Sequence, residues 1–359
     1  MKHTEMISRR SFLQAAALTA ACSALALTGC GSSSSAASSA AGAASAQEGA
    51  AVYKVGIVNY VDDASLNQIV ASLEARLDEV GAERGVTFNY ADYYANAQAD
   101  QSNLNQIGAD LVADEVDVIV AVATPSASTM LAAVEDTDIP VIYSAVTDPV
   151  GAGFDGLPNI TGTSDALNTE AIMNLILSIN PDLDQLGLLY DLGQDSSTQA
   201  IADAKAFCDE HGIRCIEKNG TNTAEVQMAV EALAASGVKV VFTPTDNTIM
   251  TAELAIYETM IEAGIQHFTG ADSFALNGAF VGYGVDYVQL GEATADMVAE
   301  LLCDGKTIAD LPYRTFDNGT ATINTETCAA LGLDLETVKT AFEPYCTAIE
   351  ELVTAEEFE

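Results

Sequence analysis

The 359-residue chain has no tryptophan, three histidines, and only 13 lysines and arginines against 52 aspartates and glutamates. Its formal net charge of -39 excludes nucleic acid as a partner, because a phosphate backbone is held by a basic surface. Catalytic signatures are also missing: there is no Gly-x-Ser-x-Gly elbow, no His-Glu-x-x-His, no Walker loop and no Gly-x-Gly-x-x-Gly after the first strand. No cofactor or metal is called for, and an enzyme would have to work with carboxylates alone. His3 lies near the amino terminus, while His211 and His267 fall in a helix-to-strand turn and at a strand start, positions that fit surface or packing roles. The lack of tryptophan removes the commonest stacking platform for a sugar ring, although 12 tyrosines and 11 phenylalanines remain. Beyond the amino-terminal segment, no apolar run is long enough to cross a bilayer.

What is present is 49% hydrophobic residues and only 18% charged ones, a composition for packed cores rather than disorder. The length accommodates two domains of roughly 150 residues each. Residues 1–30 read as an export leader, with Ser8-Arg9-Arg10-Ser11-Phe12-Leu13 ahead of the Ala-rich run Ala15–Leu27. The arginine pair fits a twin-arginine signal or a general secretory leader. Leu27-Thr28-Gly29-Cys30 has the form of a bacterial lipobox, which makes Cys30 the lipidated residue and tethers the mature chain to the outer face of the cell membrane. Residues 31–51 shift to Ser, Ala and Gly, a flexible spacer, and the folded body starts near Tyr53. Cys208 and Cys215 flank the turn Asp209–Arg214; they are placed to pair in an oxidising compartment, or equally to pack as small apolar side chains.

From Tyr53 onward, apolar strands alternate with amphipathic helices. The first helix shows Leu66, Ile69, Val70, Leu73 and Leu77 on one face. The alternation runs to Val141–Val146, pauses at a Gly-rich loop 151–162, and restarts through strands at 185–190, 213–217, 238–243, 267–269 and 279–284. A helix over Tyr287–Cys303 and an extended pair over Tyr313–Asn324 follow. This spacing predicts an α/β fold of doubly wound parallel sheets arranged as two lobes.

Two strand ends share a design. Val116–Val122 is a continuous apolar run that stops at Thr124-Pro125-Ser126 before an Ala-rich segment, as a buried parallel strand feeding a helix start does. Val238–Thr243 runs likewise into Pro244-Thr245-Asp246-Asn247. Ligands of open parallel sheets bind beyond the carboxyl ends of the strands. Thr124, Ser126 and the amides around Ala127 suit a carboxylate, while Asp246 and Asn247 suit an ammonium, so the two mouths together suit a zwitterion. Thr124, Ser126 and Asp246-Asn247 serve equally well as helix caps, and Asp148 beside Thr147 serves equally well as a turn residue before Pro149. Tyr60, just past the first strand, is available to line a cleft or to pack at its rim.

The strings Ala123-Thr124-Pro125-Ser126-Ala127, Ala145–Val150, Ile160–Asp165, Thr245-Asp246-Asn247 and Gly282–Tyr287, in order from about Tyr53 to Phe342, resemble the ABC-transporter substrate-binding proteins of the tryptophan/tyrosine type. That resemblance implies a type I periplasmic-binding fold with a hinge between an N-terminal lobe, 52–163 plus 283–312, and a C-terminal lobe, 164–282 plus 313–353. It also implies a small carboxylate ligand, an amino acid and most readily an aromatic one, delivered by a monomer to a separate permease and ATPase. A lipoprotein that senses the ligand for a membrane signalling receptor would use the same closure. The chain departs from the family at 189–197, where Asp191, Gln194, Ser196 and Ser197 replace the usual Asn and the Glu-x-Asn-Ser run. Ser196 and Ser197 are the ligand-binding candidates of that segment.

Overall fold

The computed structural model describes residues 50–316 and 319–355. The leader, Cys30 and nearly all of the spacer lie outside the described residues. Within one compact unit the chain builds β1 (Val52–Asn59), α1 (Ala64–Arg84), β2 (Thr87–Asn89), β3 (Tyr94–Asn96), α2 (Gln101–Ala113), β4 (Val118–Val122), α3 (Thr124–Ala133), β5 (Val141–Ser144) and β6 (Ile160–Ser164). It then forms α4 (Thr169–Ile179), β7 (Gln185–Tyr190), α5 (Asp195–His211), β8 (Arg214–Asn219), α6 (Thr223–Ser236), β9 (Val240–Thr243), α7 (Asn247–Glu262), β10 (Gln266–Thr269), α8 (Asp272–Leu276) and β11 (Val281–Gly284). The last described elements are α9 (Tyr287–Cys303), β12 (Arg314–Thr315), β13 (Thr320–Asn324), α10 (Thr325–Ala330), α11 (Leu335–Phe342) and β14 (Ala348–Leu352).

These strands sort into two sheets. The first runs β12-β6-β5-β4-β1-β2 with β3 also paired to β1, all parallel. The second runs β14-β13-β11-β10-β9-β7-β8 and is parallel except between β11 and β13. Every residue of β4, Val118 to Val122, is buried, because helices cover both faces of the sheet. On one face α1 packs its expected stripe of Leu66, Ile69, Val70, Leu73 and Leu77 beside Leu290 and Met297 of α9; on the other, Leu104 of α2 and Met130 of α3 join Ile119 and Val141. The doubly wound, type I two-lobed architecture is therefore what the chain adopts.

Among the described strands, the chain passes from one sheet to the other after β6, after β11 and after β12. All of β11 lies in the second sheet and β12 lies in the first, so the later crossings fall a few residues beyond the expected 282/283 and 312/313. The extended stretch 313–324 is not a pair: β12 joins β6, whereas β13 joins β11. The expected Gly-rich loop ends in a wholly buried strand, β6, whose Ile, Thr and Ser residues suit a pleated sheet. Gly162 permits it, since a Cβ there would collide with the Tyr143 carbonyl on β5.

Candidate functional site

The carboxyl ends of both sheets meet at a cavity of about 30 Å³. Leu66, Ala123, Thr124, Ala145 and Thr147 line it from the first lobe, and Ser196, Thr245, Asp246, Asn247, Met250 and Phe274 from the second. Asp63 and Ser65 at the start of α1, Asp165 and Tyr287 at two of the crossings, and Ala271 and Ser273 around the start of α8 complete the wall. An aromatic amino acid is several times larger than the one or two waters such a volume holds, so its admission requires the lobes to part.

Side-chain hydrogen bonds bridge the lobes among the described residues. The Thr147 and Thr245 hydroxyls are 2.9 Å apart, and Thr147 donates to Asp165 Oδ1 at 2.9 Å. The Ser65 hydroxyl donates to Asp272 Oδ1 at 2.6 Å.

The first-lobe mouth is strained and polar. Ala123 and Ala145, which end β4 and β5, hold φ of 74° and 57°, a region that a residue with a Cβ enters only at a cost of order 1–3 kcal/mol and one found disproportionately at ligand sites. Ala123 φ/ψ turns the chain into α3, so the Thr124 hydroxyl reaches the cavity wall. Thr124 Oγ1 and Ser126 Oγ are buried without a hydrogen-bond partner among the described residues. Leaving such a group unpaired costs about 1–3 kcal/mol, which a ligand acceptor would recover. Ser126 does not itself line the cavity. Ala127 is a core residue whose amide is spent on the Ala123 carbonyl at 3.1 Å, so it is not a free donor. The helix turn closes one residue earlier than the Thr-Pro-Ser punctuation implied.

On the second lobe, Asp246 is 1% exposed and accepts four hydrogen bonds. Oδ1 caps α7 through the Thr248 and Ile249 amides, each at 3.0 Å; Oδ2 takes the Asp191 amide and the Ser197 hydroxyl, each at 2.7 Å. Burial raises its carboxyl to about 6 against those bonds, which favour the ionised form. Ser197 is thus a brace for Asp246, while Ser196 lines the cavity and donates to the Thr245 carbonyl at 2.8 Å. Asn247 lines the cavity and donates to Gln194 at 3.1 Å. Tyr60 stands outside the lining; burial raises its hydroxyl, which faces Gln194, Asp191 and Asp246 from the opposite lobe. Asp148 is a turn residue that accepts from the Gly151 amide at 2.8 Å, and it does not reach the cavity.

Asp63, Asp165, Tyr287 and Phe274 went unassigned from sequence. Asp63 caps α1 through the Ser65 and Leu66 amides, and burial raises its carboxyl to about 6. Asp165, held by Thr147 and fully desolvated, is also raised to about 6 by burial. Among the described residues, none of Asp63, Asp165, Asp246 and Asp272 takes part in an ion pair. The signal for Asp63 was its place directly before the first helix, between a strand end and a helix start as Thr124 is. His267, in contrast, is a packing residue as expected: it is buried between Glu253 at 3.0 Å and Thr243 at 2.8 Å.

With this geometry in view, comparison with known proteins is specific. The model of the ABC transporter substrate binding protein family matches residues 54–341. The chain belongs to that family. Its members are extracytoplasmic solute-binding components of ABC transporters, not enzymes. A curated relative, the tyrosine-binding protein of Clostridioides difficile (strain R20291), is 29% identical over 284 residues, covering 78% of this chain and 81% of the relative. A Streptococcus pneumoniae ABC domain solved in complex with L-Trp is 26% identical with a TM-score of 0.74, over 83% of this chain and all of that one. The ligand-free, open structure of an adhesive substrate binding protein from Clostridium difficile, 25% identical over 84% of this chain and all of that one, gives a TM-score of 0.62. At nearly equal identity, the TM-score is higher against the tryptophan complex than against the ligand-free, open structure.

Proposed function

We propose that this protein is the receptor of an ABC importer that captures an aromatic amino acid between its lobes and presents the closed form to a permease and its ATPase. Cys30 carries the lipid that holds it, as a monomer, at the outer face of the membrane. The observation that carries the reading is the interlobe cavity itself, in which the unpartnered Thr124 hydroxyl at the start of α3 faces Asp63, Asp165 and Asp246 beside the apolar Phe274, Met250 and Leu66.

In this reading Thr124 and the free amides at the start of α3 take the ligand carboxylate. The ammonium goes to the carboxylate side of the cavity, chiefly Asp165, because the four acceptor positions of Asp246 are already filled by its own lobe. Leu66, Met250 and Phe274 supply apolar surface for a ring, and Tyr60 with Gln194 and Asn247 covers the rim. The names of the two relatives, tyrosine-binding and tryptophan-bound, support an aromatic ligand.

The test is calorimetric melting against a panel of amino acids. A ligand at about 100 times its dissociation constant adds roughly 2.7 kcal/mol. A rise with L-Tyr or L-Trp and none with L-Leu or sugars is the expected result, while a panel in which no aromatic amino acid raises the midpoint removes this ligand class.

A further inference from the structure

Ser65 holds one carboxylate from each lobe. Its amide donates to Asp63 Oδ1 at 3.0 Å within the start of α1, and its hydroxyl donates to Asp272 Oδ1 at 2.6 Å at the start of α8 in the other lobe. One residue bonded to both acids places them side by side. Asp63 is 3% exposed, and Asp272 beside it is half-buried. The groups facing this pair are of one sign or neutral. Asp165 comes from the first crossing, the Tyr287 hydroxyl from α9, Gln68 from α1 and Ser273 from α8, with the His267–Glu253 pair beyond the Phe274 ring. Asp62, the other acid at this end of α1, is exposed and bonded to Asn67.

We propose that lobe closure is proton-coupled: closing brings Asp272 onto Ser65 beside the buried Asp63, largely shielding the two acids from water, and the closed form takes up a proton at this pair. The inference rests on lobe closure, which belongs to the reading above, but not on which ligand is bound. Its physical basis is that two carboxylates sharing a dry site cannot both stay ionised at low cost, whereas in a parted cleft each is solvated and ordinary. In the closed form Asp272 is raised by burial; Asp63 is raised to about 6 by burial, with Asp272 adding to the rise. The closed form therefore binds more protons than the open one between about 4 and 6, and closure strengthens as the pH falls through that window. The ligand-free protein is then more often closed in an acidified surrounding than in a neutral one.

The experiment is small-angle scattering of the full chain, without ligand, from pH 7.5 to pH 5. One group moved from about 4 to about 6 raises the closed-to-open ratio about tenfold over that range. The wild type is expected to contract as the pH falls, Asp62→Asn to behave identically, and Asp63→Asn and Asp272→Asn to lose the pH dependence. Asparagine keeps the helix cap at 63 and an acceptor for Ser65 at 272, so both variants retain the fold, which circular dichroism verifies. A wild type that does not contract overturns the proposal. So does contraction that persists in both variants, since general relief of the negative surface would then explain it. Because no ligand is present, neither outcome depends on the amino-acid reading.

Discussion

The hydroxyls of Thr147 and Thr245 stand 2.9 Å apart, one from each lobe, and Thr147 donates its own hydroxyl hydrogen bond to Asp165 at a crossing. That order makes Thr245 the donor to Thr147, so a single directed chain links the second lobe, the first lobe and the hinge. Thr245→Val removes only the bond between the lobes and is expected to speed ligand release several-fold, up to about tenfold, for about 0.5–1.5 kcal/mol. Thr147→Val also strips Asp165 of its hydroxyl donor and should be worse. Stopped-flow displacement of the aromatic amino acid found by the melting panel checks both; equal rates in all three proteins would show that the bond does not hold the cleft closed.

Asp246 is expected to matter first for stability. Asp246→Ala leaves the Thr248, Ile249 and Asp191 amides and the Ser197 hydroxyl without their acceptor, at a cost of about 2–4 kcal/mol. Asp246→Asn keeps a carbonyl for the cap and should cost less than half of that. Calorimetric melting ranks the two. Only in the asparagine variant does a loss of affinity report the missing charge rather than a frayed α7.

The lobes and the mouths were legible because their signals are local. Val118–Val122 reads as a doubly covered strand from five consecutive apolar residues, and Thr124 reads as a helix start from the Pro that follows it. What sequence did not show depends on partners far along the chain. β6 is hidden by Gly162, whose meaning appears only beside Tyr143; β12 is two residues whose sheet is set by Thr163 and Ser164. Asp246 looked like a ligand anchor because nothing nearby in sequence shows that Asp191 and Ser197 fill its second oxygen. Asp63 and Asp272 are separated by more than 200 positions, and they are linked through Ser65, which bonds to both.

Acid should stabilise the folded chain before it harms it. Asp63, Asp165 and Asp246 have folded-state carboxyls raised to about 6 by burial, above their unfolded values near 4. A raised folded value means that the folded state binds the proton more tightly; the contribution is fully present below about 4 and is lost as the pH rises through about 6. Glu217, lowered by Lys205, works the other way at more acid pH, but it is largely exposed and screened. The melting midpoint is therefore expected to be higher at pH 5.5 than at pH 7.5, and Asp165→Asn should flatten part of that slope. Calorimetry suits a chain without tryptophan; a midpoint that falls from pH 7.5 to 5.5 contradicts the assignment.

Gly291 tests how closely α1 and α9 are packed, and it does so by sign. A Cβ at this position would overlap the Ile69 carbonyl and the Ser72 hydroxyl on α1. In an exposed helix interior, Gly→Ala stabilises by about 1 kcal/mol through propensity alone. Here the steric cost of separating two packed helices is about 1–3 kcal/mol and opposes that gain. Gly291→Ala is therefore expected to lower the melting midpoint. Adding Ser72→Ala should restore only part of the loss, since Ile69 contributes backbone that cannot rotate away. Because α1 carries Asp63 and Ser65 while α9 begins at Tyr287, the same variant should also weaken ligand binding. A midpoint raised by Gly291→Ala would mean that the helices are not held at this separation, and the floor of the cavity with them.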